Sequence, residues 1–167
     1  MMKNVEVYSH VARWLYVPKE YIQAEVEEFR RKSFGEFTVG LQIRMRESFA
    51  GVAASVFWAC VKEHMPPGAA VFLATDNHTA QEGARRAFEG TAHRLVYYRD
   101  VAEESQASGI RTQLRADADH TVVDHLLLAA CDDLVVTSGS SYGRIAYPLL
   151  SFSFLVLFLL NFSFTLV

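Results

Sequence analysis

Apolar and polar residues alternate most regularly between Phe37 and Arg46. Strict alternation predicts a β-strand with one apolar face, because successive side chains of a strand point to opposite faces. The other face of this strand carries Gln42, Arg44 and Arg46 in a row. Two interpretations are open: an edge strand with a solvated polar face, or a strand whose arginine binds phosphate oxygens at the strand end.

The rest of the chain alternates between predicted strands and predicted helices. Apolar runs predict three further strands at 69–74, 94–99 and 134–136. Apolar residues at helical spacing, together with two capping-box patterns, predict helices at 18–34, at 47–64, from Thr79 and from Thr121. The polar segment 103–119 is expected to be a long connection. This order predicts an α/β fold, with a Rossmann-like parallel sheet and crossover helices.

Polar residues follow each predicted strand at its carboxyl end, where open α/β sheets bind their ligands. These strand ends carry Arg44 to Arg46, Thr75 to Asn77, Arg99 with Asp100, and Thr137 to Ser141. Carboxyl ends of parallel strands meet at one edge of a sheet. The sequence therefore predicts a polar ligand site along that edge.

The small-residue turn from Thr137 to Gly143 could cradle a phosphate, or it could be only a tight connection. Arg44 and the hydroxyls of this turn could neutralise a diphosphate without a metal. Asp76 could accept hydrogen bonds from a base or a ribose, or act as an N-cap partner for the helix at Thr79. Together these residues suit a nucleotide-diphosphate donor.

Composition narrows the function classes. The chain has 167 residues, 51% of them hydrophobic, and a formal net charge of −3. This length suits one domain with a real core, and the slight acidity does not favour a nucleic-acid binder. The spacing of Cys60 and Cys131 is not that of metal ligands. Asp117 to His120 resembles a metal-binding cluster, but acidic residues are also favoured before a helix, and we expect no metal.

Three motifs in order resemble those of the fucosyltransferase superfamily. They are Val39 to Arg44, Leu73 to Asp76, and Cys131 to Gly143. The closest likeness is to the plant-type xyloglucan (galactoside) α-1,2-fucosyltransferases, which the segment from Val11 to Pro18 also resembles. The α-1,6- and protein O-fucosyltransferases are more distant. The likeness runs from about Tyr8 to Tyr147.

The resemblance implies transfer of L-fucose from GDP-fucose to a galactoside, cell-wall polysaccharide or glycoprotein, with inversion and without a metal or other cofactor. It implies one half of a two-domain glycosyltransferase of the GT-B type, with a glycan acceptor, no nucleic-acid partner, and a Golgi membrane location. The residues that it matches to GDP-fucose binding are Gln42, Arg44, Asp76, Ser138, Ser140, Ser141 and Tyr142. It names no catalytic base.

The chain departs from the family in two respects. Gln42 stands where the α-1,6 and protein O-fucosyl groups have histidine, and Arg144 follows the serine turn unexpectedly. An amino-terminal domain with a membrane anchor and much of the acceptor site is not matched. The alternative is therefore a catalytically inactive nucleotide-sugar-binding fragment, or a truncated one.

The carboxyl-terminal tail differs from the rest of the chain in its composition. Residues 1–148 are expected to form an incomplete GDP-sugar-binding domain, and residues 149–167 an apolar tail without any charge. The tail is long enough to cross a bilayer. Three interpretations stay open: a membrane anchor, a buried helix of the absent half-domain, or translated non-coding sequence. Besides the enzyme and the inactive fragment, a third hypothesis for the whole chain is a tail-anchored membrane protein whose α/β domain is unrelated to the fucosyltransferases.

Overall fold

The computed structural model describes residues 17–43, 54–100, 110–137 and 156–159. The strands in these ranges are β1 (Thr38–Ile43), β2 (Ala70–Thr75), β3 (Arg94–Val96), β4 (Asp133–Thr137) and β5 (Val156–Leu159). The helices are α1 (Glu20–Ser33), α2 (Ala54–His64), α3 (His78–Phe88) and α4 (Ile110–Ala129).

The five strands form one sheet in the order β3-β2-β1-β4-β5, and every neighbouring pair is parallel. Helix α2 connects β1 to β2, α3 connects β2 to β3, and α4 connects β3 to β4, because parallel strands need a crossover. The predicted α/β, Rossmann-like fold is therefore confirmed. The edge-strand interpretation of β1 is wrong, since β1 pairs with β2 on one side and with β4 on the other.

The alternation seen in the sequence divides the core into two layers. Val39, Leu41 and Ile43 of β1 face the layer that contains α2 and α3. The opposite face of the sheet packs against α1 and α4, with Phe72 and Leu128 at its centre. All six residues of β1 are buried, so its polar face is covered by helices and not solvated.

Gly40 lets α4 approach the sheet closely. A Cβ at this position would lie 2.5 Å from Cδ2 of Leu134, 3.0 Å from Sγ of Cys131 and 3.1 Å from Cδ2 of Leu128. Separations of this size are well inside van der Waals contact. The missing side chain of Gly40 therefore sets the distance between α4 and β1.

Two predicted helix starts are wrong. Asn77 caps α3, because its Oδ1 accepts a hydrogen bond from the backbone N–H of Ala80 at 2.9 Å, so the helix begins before Thr79. Helix α4 already begins at Ile110, which makes 110–119 helical and places Thr121 inside the helix. Apolar periodicity does not show these starts because the first turns of both helices are polar.

Asp132 closes the turn from α4 into β4. Its carboxylate Oδ2 accepts a hydrogen bond from the backbone N–H of Thr38 at 2.7 Å, and its own N–H donates to the Thr38 carbonyl at 2.8 Å. The two contacts pin the start of β1 to the start of β4. They fix the register of the central strand pair.

Four residues of the apolar tail belong to the sheet. Val156–Leu159 pairs in parallel with β4, so the sheet continues beyond the four strands predicted from the sequence. Among the described helices, none combines the length and the apolar character needed to span a bilayer. The other tail residues lie outside the described ranges, and the domain limits at 148 and 149 remain predictions.

Candidate nucleotide-binding site

The sheet reverses its direction of growth between β1 and β4. From β1 the chain adds β2 and then β3 on one side, and it then crosses to add β4 on the other. In open α/β sheets ligands bind in the crevice beyond the carboxyl ends of the strands at such a switch point. The hydroxyl of Thr137 donates to the carbonyl of Gln42 at 3.1 Å, which holds the two strand ends together.

The predicted phosphate ligands follow directly on these two strand ends. Arg44 comes after the last residue of β1, and Ser138 after the last residue of β4. Because β1 and β4 are neighbours, the chain leaves the sheet at adjacent points toward both predicted ligands. Five predicted site residues lie outside the described ranges, and their roles stay predictions: Arg44, Ser138, Ser140, Ser141 and Tyr142.

A small polar cavity of about 40 Å³ lies at the carboxyl ends of β1 and β2. It is lined by Gln42, Ile43, Ala74, Thr75, Asp76, Arg99, Thr121 and Asp124. The cavity thus brings together two residues predicted for the site, Gln42 and Asp76. It adds Arg99 from beyond β3, and Thr121 and Asp124 from α4.

Gln42 lies at the buried end of this cavity, with 3% of its surface exposed. Its side-chain oxygen Oε1 is buried and has no hydrogen-bond partner in the described part of the chain. A buried acceptor without a donor costs about 1–3 kcal/mol. The amide of Gln42 is therefore suited to a donor that enters the cavity from outside the protein.

Asp76 is exposed and lines the same cavity directly after β2. The interpretation of Asp76 as a helix-capping residue is wrong, because Asn77 caps α3. The backbone N–H of Asn77 also donates to the Thr75 hydroxyl at 3.2 Å, which holds the turn after β2. This turn presents the Asp76 carboxylate at the carboxyl edge of the sheet.

Asp124 is buried on α4, at 5% exposure, and forms an ion pair across the cavity. Its Oδ2 lies 3.5 Å from Nε of Arg99. The sequence predicts Arg99 on the polar edge of the sheet but indicates no role for it. It predicts Asp124 only as part of the helix start at Thr121. A signal was present, since Asp124 lies four residues before Leu128 and so falls on the buried stripe of the helix.

The segment after β3 is anchored from both sides of the sheet. From α3, Arg85 donates to the Tyr97 hydroxyl and pairs with Asp100. These contacts with Tyr97 and Asp100 raise the pKa of Arg85. From α1, the carboxylate of Glu25 accepts a hydrogen bond from the Tyr98 hydroxyl. Burial, with that bond, raises the pKa of Tyr98. Arg99 therefore extends from a fixed backbone.

A larger groove lies at the opposite edge of the sheet. Its volume is about 860 Å³, and Glu27, Arg30, Arg31 and Asp132 are among its lining residues. This groove borders the amino ends of β1 and β4, where parallel sheets do not bind their ligands. Although this groove is larger than the cavity at the carboxyl edge, it lies at the wrong edge of the sheet. We therefore assign the site to the carboxyl edge.

No cluster of three side chains able to hold a metal occurs within the described residues. The carboxylate of Asp119, one member of the candidate cluster from Asp117 to His120, accepts a hydrogen bond from the Tyr21 hydroxyl at 3.0 Å. This contact joins α1 to α4. It gives the carboxylate of Asp119 a structural partner on α1.

No protein-family model matches the chain, and no curated protein matches it by sequence. Solved structures do match. A mutant of Arabidopsis thaliana FUT1 in complex with GDP has a TM-score of 0.63 and 18% identity, over 87% of this chain and 35% of that chain. NodZ α-1,6-fucosyltransferase co-crystallized with GDP has a TM-score of 0.57 and 15% identity, over 77% of this chain and 41% of that one.

POFUT1 in complex with GDP-fucose is also similar, with a TM-score of 0.58 and 9% identity, over 88% of this chain and 45% of that chain. The chain thus spans less than half the length of each of these solved structures. At these identities the matches concern the fold. They confirm the resemblance predicted from the motifs: this chain has the fold of part of the fucosyltransferases.

Proposed function

We propose that the chain is the donor-binding part of a fucosyltransferase and binds GDP-fucose at the carboxyl edge of its sheet. One observation carries the proposal. A polar cavity with a partnerless buried amide oxygen lies beside the switch point. The fold around it is shared with solved fucosyltransferases that hold GDP or GDP-fucose.

The nucleoside end of the donor lies at the mouth of the cavity between β1, β2 and α4, with the edge of its base inside. Ribose hydroxyls and the ring N–H groups of a base are donors, and the cavity offers the acceptors that such donors need. These acceptors are the amide oxygen of Gln42 and the carboxylates of Asp76 and Asp124. A ligand donor at Gln42 would satisfy the buried oxygen that the protein leaves without a partner.

The diphosphate end lies toward the switch point. Arg44 binds the diphosphate through its planar fork of N–H donors, and the hydroxyls of Ser138, Ser140 and Ser141 add further donors. Tyr142 lies in the same turn. The two strand ends that lead to these residues are held together by Thr137 and Gln42. Such cationic and hydroxyl donors would neutralise the diphosphate without a metal.

Catalysis then consists of stabilising the leaving diphosphate. A hydroxyl of the glycan acceptor attacks C1 of fucose as the bond from C1 to the phosphate oxygen breaks, and the configuration at C1 inverts. Negative charge develops on the departing GDP, where preorganised donors act most strongly. We assign no catalytic base to this chain. By family resemblance the acceptor is a galactoside, a cell-wall polysaccharide or a glycoprotein, and the protein is located at the Golgi membrane.

Calorimetry tests the donor site. GDP and GDP-fucose should bind the full chain saturably, with the same affinity in the presence of EDTA. Arg44→Ala should weaken GDP binding by about 1.5–3 kcal/mol, because it removes a charge-assisted contact. Arg46→Ala removes the same charge two residues away and should have a smaller effect. Equal losses from the two substitutions would refute the assignment of Arg44 to the diphosphate.

A second candidate is a nucleotide-sugar-binding protein without transferase activity. The observation that favours it is the cavity itself, whose described lining residues suit binding of a nucleotide and have no assigned catalytic role. Incubation of the full chain with radiolabelled GDP-fucose and galactoside acceptors separates the two. Transfer of label supports the enzyme, and binding of GDP-fucose without transfer supports the binding protein.

A further inference from the structure

We propose that Arg99 reads the base of the bound nucleotide and selects purines that carry an oxygen at position 6, such as guanine and hypoxanthine. The inference rests on the proposed function, because it concerns the nucleoside end of the same site. Arg99 follows β3 and lines the cavity together with Gln42 and Asp76.

The backbone of Arg99 is fixed by a buried residue of α3. Gln81 is 1% exposed, and its side-chain Nε2 donates to the carbonyl oxygen of Arg99 at 2.8 Å. The next residue, Asp100, pairs with Arg85 of the same helix. The flexible arginine side chain therefore starts from a position that two contacts hold in place.

Asp124 pairs with the guanidinium of Arg99 in the wall of the cavity. Nε of Arg99 lies 3.5 Å from Oδ2 of Asp124, and the two side chains are 18% and 7% exposed. An ion pair can join two elements at the protein surface without loss of hydration. Burying the pair costs free energy, because both charged groups lose their water. This pair is instead part of the wall of a polar cavity that also contains the partnerless oxygen of Gln42.

The cavity is thus lined by both hydrogen-bond donors, on Arg99, and acceptors, on Gln42 and the two carboxylates. Guanidinium groups carry only donors, and carboxylates carry only acceptors. Guanine matches this pattern, since its O6 is an acceptor and its N1–H and N2 amino groups are donors. Arginine is the commonest specific partner of guanine O6 and N7 in DNA recognition. Adenine presents an amino group in place of O6, which would set donors against the donors of Arg99.

The size of the cavity fits this role. A volume of about 40 Å³ holds a few water molecules. It therefore accepts the edge of a base rather than a whole nucleotide. Discrimination between bases depends on that edge.

Four nucleotides and two variants test the proposal. GDP and IDP carry the O6 atom, whereas ADP and the diphosphate of 2-aminopurine riboside lack it. Arg99→Met in the full chain should weaken binding of GDP and IDP about ten- to hundredfold, the usual value of a good base contact. Binding of ADP and the 2-aminopurine nucleotide should not weaken, and ADP should gain affinity because its amino group no longer meets the donors of Arg99. The matched control is Arg86→Met, which removes an exposed arginine from α3 and should alter none of the four affinities.

If Arg99→Met weakened the binding of all four nucleotides equally, Arg99 would have only a structural role and the proposal would be overturned. The absence of any effect on binding would overturn it as well. Arg99→Lys keeps the charge but not the planar fork, so it serves if the methionine variant fails to fold. It should lower the ratio of GDP to ADP affinity, and an unchanged ratio would also overturn the proposal. Failure of the unaltered chain to bind any of the nucleotides would contradict the proposed function itself.

Discussion

Replacement of Gly40 by alanine probes the packing that brings α4 onto the sheet. The added Cβ would lie 2.5 Å from Cδ2 of Leu134 and 3.0 Å from Sγ of Cys131. Favourable carbon contacts lie at about 3.5–4.0 Å, so α4 or Leu134 must move by roughly 1 Å. Overpacking of this kind costs about 1–3 kcal/mol. The lower backbone entropy of unfolded alanine offsets about 0.5–1 kcal/mol of this cost, which leaves a net loss of up to about 2.5 kcal/mol.

Urea unfolding followed by circular dichroism measures this loss in the full chain. Gly83→Ala is the control, because its Cβ would meet Trp58 only at 3.7 Å and alanine favours the helix α3 by about 0.5–1 kcal/mol. Gly83→Ala should therefore raise the free energy of unfolding while Gly40→Ala lowers it. Leu134→Val removes the clashing methyl group, so the Gly40→Ala and Leu134→Val double variant should lose less than the sum of the single variants.

The same substitution carries a functional consequence. Asp124 lies on α4 and Gln42 on β1, and Gly40 sets the distance between these elements. Gly40→Ala should therefore also weaken GDP binding. A Gly40→Ala variant as stable as the unaltered chain would refute the packing argument, as would strictly additive losses in the double variant.

Three further predictions concern single side chains. Gln42→Leu should change the free energy of unfolding little, because the lost oxygen has no partner, but it should weaken GDP binding about three- to tenfold in calorimetry. Burial lowers the pKa of His125 to about 4, so only the unfolded state protonates between pH 6.5 and 4. Stability should then be constant above pH 6.5 and fall by about 3 kcal/mol down to pH 4. His125→Gln should flatten this pH dependence when the free energy of unfolding is measured by urea titration. An unaltered pH dependence would refute its assignment to His125. Asp132→Ala should lower the free energy of unfolding by about 1.5–3 kcal/mol in the same assay, since it removes a charged acceptor from the Thr38 N–H, and Asp132→Asn should lose less.

The sheet could be predicted from the sequence because its strands carry strong local patterns. The apolar run before Thr75 and the alternation through Gln42 both became central strands. Helix starts were harder, since Ile110 opens a helix whose first turns are polar. Only the tertiary fold shows that the polar positions of β1 are buried, because periodicity does not reveal which elements cover a face.

The candidate site was predictable only in part. Gln42 and Asp76 follow from their positions at strand ends, and the structure brings both to one cavity. Asp124 comes from a helix that is distant in sequence, so no local motif joins it to Arg99. Such a pair depends on how α4 packs against the sheet, which is a long-range property of the fold.

Mapping of bound GDP by NMR tests the central claim most directly. In a titration of the isotopically labelled full chain, GDP should shift the amide signals of Gln42, Thr75, Asp76 and Asp124 together, with one saturation curve. Signals of Glu27, Arg30 and Asp132, in the groove at the opposite edge, should stay unchanged. Saturable shifts confined to that groove, or the absence of saturable shifts, would contradict a nucleotide site at the carboxyl edge of the sheet.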